Sequence, residues 1–279
     1  MSNVLEVREL SFSYKPQQTI LDNISLAVRR GDIMMLIGVN GCGKTTLLKS
    51  ILGLLPVDKT AILVEGKPLD FYTPAGLAQK IAYVPQQSFQ GACDYLVKEY
   101  LALGRTPYLG TFQSPAQEDY DYVVQCAREC GIEHLLETPI SHLSGGQYQL
   151  TTITRALVQK TGIIVMDEPF SALDLRNQVL LLKILLYLKE QGKTVLLSTH
   201  DPNHALAINC SVCGFADKKV AFCGKANDVL LQENIVSVYG EGIRLFKYSD
   251  EEYCVCLEPI SAEKRESLQM DDSRKLKQL

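Results

Sequence analysis

The chain has 279 residues, of which 46% are hydrophobic, and its 28 Lys and Arg against 32 Asp and Glu give a formal net charge of −4. This balance excludes a low-complexity or wholly disordered chain, which needs few apolar residues and a high net charge. The mild acidity also argues against nucleic acid as a partner, because duplex binders usually carry a basic patch.

Cysteine content and the length of the apolar runs predict the cellular compartment of the protein. Nine Cys residues are an odd number and too few for a disulfide scaffold. Residues 1–10 lack the features of a signal peptide, and charge interrupts every apolar run before the roughly 18–20 residues of a membrane span. We therefore expect a soluble, cytosolic protein with reduced thiols. Cys210-x-x-Cys213 and Cys254-x-Cys256 could suggest metal, but no second pair completes a zinc site, so core thiols are the preferred interpretation.

The predicted strands and helices alternate along the chain. Val4–Tyr14 alternates apolar and polar residues, which predicts a strand. Continuous apolar runs follow at Ile33–Ile37, Ile163–Met166 and Val195–Leu197, and segments such as Val179–Lys189 have helical periodicity. Short apolar runs between helices are typical of a parallel sheet that is covered on both faces. The sequence therefore predicts an α/β fold.

Two regions differ from this pattern. Residues 89–142 are acidic and have helical periodicity over Tyr120–Ala127, with Gly131 placed to end that helix. Residues 258–279 are highly charged and contain few apolar side chains. We expect one domain over residues 1–257 with a helical subdomain inserted at about 89–142, followed by a frayed helix or charged tail at 258–279.

A glycine-rich loop follows the Ile33–Ile37 run. Residues 38–45 (GVNGCGKT) match G-x-x-x-x-G-K-[ST] at every fixed position. The glycines let backbone N–H groups point toward a β-phosphate, and the dipole of the helix that begins near Lys44 assists them. Lys44 is expected to contact β- and γ-phosphate oxygens, and the Thr45 hydroxyl to bind Mg²⁺. This loop predicts a nucleotide site.

Two carboxylates follow Ile163–Met166, at the end of a strand where α/β sheets hold their ligands. Asp167 is predicted to hold Mg²⁺ through water, and Glu168 to polarise the water that attacks the γ-phosphate. An apolar run followed by acids is a weak signal on its own. Its value lies in its combination with Lys44.

The segment LSGGQ at residues 143–147 distinguishes between classes of phosphate-loop protein. With it, the sequence resembles the ATP-binding cassette (ABC) ATPases over about residues 4–257. The resemblance implies a RecA-like P-loop NTPase core, an N-terminal antiparallel β-subdomain and an inserted helical subdomain. It also implies a homodimer in which ATP lies between the phosphate loop of one subunit and the signature of the other. Ser144 is a natural N-cap, and the Gly145 and Gly146 amides offer a second anion site.

The resemblance assigns further positions by motif. Tyr14 would stack on adenine, Gln86 would contact the γ-phosphate and metal, residues 171–174 would form a dimer contact, and His200 would be the switch histidine. The catalytic candidates are Lys44, Gln86, Glu168 and His200. The nucleotide-binding candidates are Tyr14, Gly38, Asn40, Gly41, Cys42, Gly43, Lys44, Thr45, Thr46, Ser144, Gly145, Gly146 and Gln147. The Mg²⁺ candidates are Thr45, Gln86 and Asp167.

Other residues carry separate expectations. The Cys42 thiol is expected to favour the thiolate and to react with maleimide, because loop amides and Lys44 surround it. His134, His142 and His204 are expected to be structural.

The cargo is predicted from the absence of a membrane span and from one further segment. The ATPase is expected to act at the cytoplasmic face of the membrane with a separate permease and, indirectly, an extracytoplasmic substrate-binding protein. Val97–Tyr108 resembles the V-x-E-x-x-x-x-G-R-x-P-Y stretch of importers for iron-siderophore, haem and vitamin B12, and is the predicted docking strip, with Arg105 and Tyr108 as its contact residues. Molybdate and tungstate importers share much of this pattern, so the substrate stays open.

Two non-transport alternatives are less favoured. Only 100 residues separate Lys44 from Ser144, which leaves no room for the long coiled coils of ABC ATPases in DNA repair or chromosome structure. A regulatory module without turnover is disfavoured by the intact Gln86, Glu168 and His200.

Overall fold

The computed structural model describes residues 2–86, 95–110, 112–247 and 253–257. Its strands are β1 (Asn3–Lys15), β2 (Gln18–Arg29), β3 (Ile33–Ile37), β4 (Ile62–Val64), β5 (Lys67–Pro68), β6 (Ile81–Val84), β7 (Ile163–Met166), β8 (Thr194–Thr199), β9 (Ser211–Ala216), β10 (Lys219–Lys225), β11 (Ile243–Lys247) and β12 (Tyr253–Leu257). Its α-helices are α1 (Lys44–Ile51), α2 (Pro74–Ala78), α3 (Val97–Ala102), α4 (Gln117–Glu129), α5 (Gly145–Val158), α6 (Leu175–Glu190), α7 (Asn203–Ile208), α8 (Ala226–Val229) and α9 (Gln232–Tyr239).

A six-stranded sheet in the order β10-β9-β3-β8-β7-β6 forms the centre of the fold. Every pair from β9 to β6 is parallel, and only the edge strand β10 runs antiparallel. All five residues of β3 and all four of β7 are buried, which explains why their sequences are continuously apolar. Because the strands are parallel, the carboxyl ends of β3, β7 and β8 meet at one edge of the sheet.

The predicted N-terminal antiparallel sheet is confirmed. It has four strands in the order β2-β1-β4-β5, and β1 pairs with β2 in a long hairpin. The alternating apolar side chains of β1 and β2, among them Leu5, Leu10 and Leu21, form a hydrophobic cluster with α1 and one face of the central sheet. This packing fixes α1, and therefore the loop that precedes it, against the sheet.

The short helices α3 and α4 pack on α5. Val97, Leu101, Val123 and Ala127 are fully buried in one cluster with Ile153 of α5. Helix α4 ends just before Gly131, whose φ of +71° is the left-handed conformation expected there. The predicted division into one domain with an inserted subdomain stays a prediction, since its start at Phe89 and the tail at 258–279 lie outside the described residues.

Arg105 is held by contacts within the chain, and its predicted role in docking stays a prediction. Its Nε donates to Asp119 Oδ1 at 2.8 Å, its Nη1 donates to the Val158 carbonyl at 3.3 Å, and its guanidinium stacks over Tyr108. The side chain therefore fastens the segment after α3 to α4 and α5. A charge reversal at Arg105 would damage this packing rather than report on a partner.

The expectation of reduced thiols is wrong at one pair. Cys213 and Cys223 form a disulfide between β9 and β10, because the two residues lie directly opposite each other in the antiparallel register. Cys210 is free, so Cys210-x-x-Cys213 is not a metal-binding pair of thiols in this structure. Burial raises the pKa of the Cys130 and Cys210 thiols to about 12.

Two further strands, which the sequence did not predict, follow the central sheet in the chain. Strands β11 and β12 form a separate two-stranded antiparallel sheet, which we call the C-terminal hairpin. Helix α9 packs beside β11 and buries Ile235 and Val238. In the part of the chain that the structure describes, no helix is both long enough and apolar enough to cross a membrane.

Candidate active site

The loop between β3 and α1 has a conformation that requires glycine. Gly43 has a φ of +110°, and a Cβ there would lie 3.0 Å from both the Ile20 carbonyl oxygen and Leu21 Cδ2. Gly43 is also the N-cap of α1, so the first free N–H groups of the helix face the space in front of the loop. This is the backbone arrangement that binds phosphate.

Lys44 is buried at the base of this loop. Its Nζ donates to the Gly38 carbonyl at 2.7 Å and to the Val39 carbonyl at 3.1 Å. The same Nζ lies 3.5 Å from Glu168 Oε1, so an ion pair compensates the buried ammonium. A phosphate that enters the loop must compete with Glu168 for Lys44.

Asp167 lies at the carboxyl end of β7 and is almost fully buried. Its Oδ1 accepts hydrogen bonds from the Thr45 hydroxyl at 3.0 Å and from the Ser198 hydroxyl at 2.7 Å. The structure therefore joins Thr45 and Asp167, which the sequence assigned to one metal from two distant motifs.

Glu168 connects three parts of the site. Its backbone is left-handed, with a φ of +47°, and its N–H donates to Ser198 Oγ at 2.8 Å. One carboxylate oxygen faces Lys44, and the other accepts from His200 Nδ1 at 3.0 Å. The left-handed backbone is unfavourable for a residue with a side chain, so the Ser198 hydrogen bond helps to hold it.

Ser198 was not among the predicted site residues. Its hydroxyl donates to Asp167 and accepts from the backbone of Glu168, and it is fully buried on β8. The signal that could have identified it is its place two residues before His200, at the end of a strand adjacent to β7.

A cavity of about 270 Å³ opens in front of the loop and collects most of the predicted nucleotide residues. Tyr14 lies at its rim, 56% exposed, with its hydroxyl 3.5 Å from Thr46 Oγ1. The lining residues are Tyr14, Ile20, Asn40, Gly41, Gly43, Lys44, Thr45, Thr46, Gln86 and Glu168. Ile20 is the member of this set that sequence reasoning missed.

The surroundings of Cys42 differ from those expected of a thiolate. The sulfur packs against the hydrophobic cluster behind the loop, and a Cβ added to Gly38 would lie 2.8 Å from it. Burial raises the pKa of the Cys42 thiol, and this effect exceeds the lowering by the Lys44 ammonium 4.0 Å away. The structure therefore favours the thiol over the predicted thiolate, and the reaction with maleimide stays a prediction.

The signature segment begins α5 with a reciprocal capping arrangement. Ser144 Oγ accepts from the Gln147 N–H at 3.3 Å, and Gln147 Oε1 accepts from the Ser144 N–H at 2.9 Å. Ser144 is thus the N-cap that the sequence predicted. The lining of the cavity described above includes no signature residue within the described parts of the chain.

His204 is buried, as its structural role requires. Its ring stacks on Phe170 with centroids 3.7 Å apart, and Thr199 Oγ1 lies 3.0 Å from Nδ1. Burial lowers the pKa of this imidazole below its ordinary value, which favours the neutral ring.

Comparison with known proteins decides the family. The sequence model of the family described as "ABC transporter" matches residues 21–171, more than half of the chain. The chain belongs to the ABC transporter ATP-binding family. It is therefore an ATPase of the ABC type, and the predicted P-loop α/β fold is confirmed.

Two curated relatives and one solved structure match over most of the chain. The achromobactin transport ATP-binding protein CbrD of Dickeya dadantii is 38% identical over 215 residues, which is 77% of each chain. The molybdate import ATP-binding protein MolC of Haemophilus influenzae is 33% identical over 86% of this chain and 89% of its own. An inward-facing structure described as a metal-chelate type ABC transporter matches with a TM-score of 0.78 and 30% identity, covering 94% of this chain and 99% of that one.

We predict that Ser198→Ala lowers both stability and turnover. The substitution leaves the Glu168 N–H without a partner in the interior, which should lower the free energy of unfolding by about 1–3 kcal/mol. It also releases the left-handed backbone of Glu168, so kcat should fall while KM for ATP changes little. Chemical denaturation and steady-state ATPase kinetics measure the two effects.

Ser50→Ala is the matched control, because Ser50 is also fully buried and donates one hydrogen bond to the Thr46 carbonyl. It should lose stability but keep kcat. Equal kcat values for the two variants would contradict a positioning role for Ser198.

Proposed function

We propose that this ATPase powers the import of a metal chelate, such as an iron-siderophore, haem or cobalamin, through a separate membrane permease. The observation that carries the cargo class is the match over nearly the whole chain to a metal-chelate type transporter. The relative named for achromobactin transport supports the same class. The ATPase would work at the cytoplasmic face of the membrane, with an extracytoplasmic binding protein delivering the chelate to the permease.

Nucleotide binding follows from the cavity in front of the phosphate loop. The exposed ring of Tyr14 offers a stacking surface for adenine, a contact worth about 1–3 kcal/mol. The loop amides and the start of α1 then receive the phosphates, and Lys44 exchanges its contact with Glu168 for phosphate oxygens. Asn40, Gly41 and Thr46 complete the lining.

The residues at the end of β7 suit a magnesium ion. A hydroxyl from Thr45 and a buried carboxylate from Asp167 lie in contact, and hard oxygen ligands of this kind are those that Mg²⁺ prefers. We propose that Thr45 and Asp167 hold the ion, together with Gln86, which also lines the cavity. When bound, Mg²⁺ supplies charge neutralisation on the β- and γ-phosphates.

Glu168 is the proposed general base. Once Lys44 turns to the phosphates, the Glu168 carboxylate is free to accept a proton from the attacking water. His200 donates to the other carboxylate oxygen and so fixes the orientation of the base. We propose that His200 also contacts the γ-phosphate, since more than half of its side chain is exposed beside the cavity.

The signature points to a homodimer. Ser144 and Gly145 are exposed at the start of α5, and the amides of Gly145 and Gly146 form an anion site with no phosphate of its own chain to bind. We propose that this site receives the γ-phosphate held by the phosphate loop of a second copy. Gly146 and Gln147 belong to the same turn of helix.

A groove beside the predicted docking strip is the proposed contact for the permease. Five of the twelve residues of Val97–Tyr108 are buried, whereas Leu103, Thr106 and Tyr108 are exposed. Gln79 donates to the Pro107 carbonyl at 2.7 Å and so joins the strip to α2. Helix α2 borders a largely apolar groove of about 570 Å³, with Leu54 exposed at its edge. An apolar helix or turn of the permease fits this groove.

A second candidate cargo is molybdate or tungstate, because the molybdate import protein matches over a similar share of the chain. The nucleotide chemistry would be the same, since cargo never contacts this subunit in the proposed arrangement. Only transport distinguishes the two.

Glu168→Gln tests the chemistry. The variant keeps the size of the side chain and loses the base, so we expect normal ATP affinity and a fall in kcat of about 10²–10⁴-fold. Because hydrolysis no longer separates the copies, a dimer should accumulate with MgATP, which size-exclusion chromatography detects. Glu190→Gln, at the exposed end of α6, is the control and should behave as the wild type. Near-normal turnover in Glu168→Gln would remove this residue from the role.

The cargo is tested by uptake. In cells that express the chain with its permease and binding protein, Glu168→Gln should abolish uptake of a labelled iron chelate and leave molybdate uptake unchanged. Loss of molybdate uptake alone would favour the second candidate.

The groove is tested with Leu54→Glu. A carboxylate buried against an apolar partner is costly, so permease-stimulated ATPase activity should fall about tenfold or more while the activity of the isolated subunit is unchanged. Phe112→Glu is the control, because Phe112 is fully exposed and is not part of the groove lining. Equal stimulation of the two variants would place the permease contact elsewhere.

A further inference from the structure

The loop that carries His200 is tied to the C-terminal hairpin by one side chain. Asn203 Nδ2 donates to the Val255 carbonyl at 3.0 Å, and Asn203 Oδ1 accepts from the Val255 N–H at 2.7 Å. The amide thus satisfies both backbone groups of one residue of β12, as a neighbouring strand would. This pairing fixes the distance between the loop and the hairpin.

Asn203 is also linked to the loop itself. Its backbone N–H donates to Asp201 Oδ1 at 2.9 Å, and the Asp201 N–H donates to Thr199 Oγ1 at 3.2 Å. His200 lies inside this series of bonds, and its own ring makes one hydrogen bond among the described residues, with Glu168. The segment that follows His200 is therefore anchored through Asn203.

The hairpin is in turn fastened to α9 by a second amide. Gln232 Nε2 donates to the Ile243 carbonyl at 2.8 Å, and Gln232 Oε1 accepts from the Leu245 N–H at 2.8 Å. Like Asn203, Gln232 bonds a backbone N–H and a backbone carbonyl of the hairpin. Gln232, however, joins β11 to α9, whereas Asn203 joins β12 to the His200 loop.

Helix α9 reaches the phosphate loop from behind. The Tyr239 hydroxyl at its end is buried and makes no hydrogen bond of good geometry in the described chain. It lies beside the Gly38 amide and near the side chains of Cys42 and Asp201, and burial raises the pKa of this phenol. The end of α9 therefore contacts the phosphate loop through Tyr239. The hairpin contacts the His200 loop through Val255.

We propose that Asn203 is a positioning residue for ATP hydrolysis, which sets the place of His200 relative to Glu168 by tying the His200 loop to the C-terminal hairpin. The inference rests on the proposed role of His200 in hydrolysis. It predicts that the hairpin is part of the hydrolytic apparatus although it contacts neither nucleotide nor metal.

The test compares Asn203→Ala with Gln232→Ala in the full-length chain. Each substitution removes two hydrogen bonds from the hairpin, but only Asn203→Ala releases the His200 loop. We expect kcat to fall about tenfold in Asn203→Ala, with ATP affinity within about twofold of the wild type. Gln232→Ala should keep the kcat of the wild type. Asn203→Asp, which can still accept from the Val255 N–H, should recover part of the lost kcat.

Hydrogen exchange distinguishes release of the loop from loss of the fold. Exchange at the Val255 amide should increase in Asn203→Ala, and exchange in the central strands should not. Equal losses of kcat in Asn203→Ala and Gln232→Ala would overturn the proposal, because general loosening of the hairpin would then explain both. Wild-type kcat in Asn203→Ala would also overturn it. A wild-type chain without ATPase activity would instead contradict the proposed function.

Discussion

The carboxylate of Glu168 lies between a lysine ammonium and a histidine ring, and the other parts of the site are arranged around this contact. The contact requires the phosphate loop, the end of β7 and the end of β8 to meet within a few ångströms. Parallel pairing of β3, β8 and β7 brings them together, since each strand delivers its functional residue at its carboxyl end. The site is therefore a direct result of sheet topology.

Burial gives this contact its strength. Lys44 and Glu168 are both nearly inaccessible to water, so each would be costly as an isolated charge. The two carbonyl oxygens that accept from Lys44 and the backbone bond from Glu168 to Ser198 supply the remaining partners. The charges of Lys44 and Glu168 thus have partners without nucleotide, and ATP binding must break the contact between them.

Much of the fold and site could be predicted because its signals are local. The strands Ile33–Ile37 and Ile163–Met166 match β3 and β7 to the residue, because both are buried on both faces and read as continuous apolar runs. The phosphate loop, the Ser144 cap and the end of α4 likewise depend on neighbours in sequence. What failed depends on pairing and packing contacts that no local sequence motif encodes. The register of β9 against β10 pairs Cys213 with Cys223, and packing behind the phosphate loop raises the pKa of Cys42. The ion pair of Arg105 with Asp119 likewise depends on tertiary packing.

The reciprocal cap at Ser144 and Gln147 affects how the exposed start of α5 is solvated in the separated subunit. At an exposed helix end, the backbone donors that no side chain caps are hydrogen-bonded by water. Here two of the donors are satisfied within the turn, so the exposed signature is stable in water. The amides left over are too few to bind an arbitrary protein surface, but they suffice for a concentrated negative charge. In the proposed dimer, the signature would then recognise a second copy by the phosphate that the copy carries.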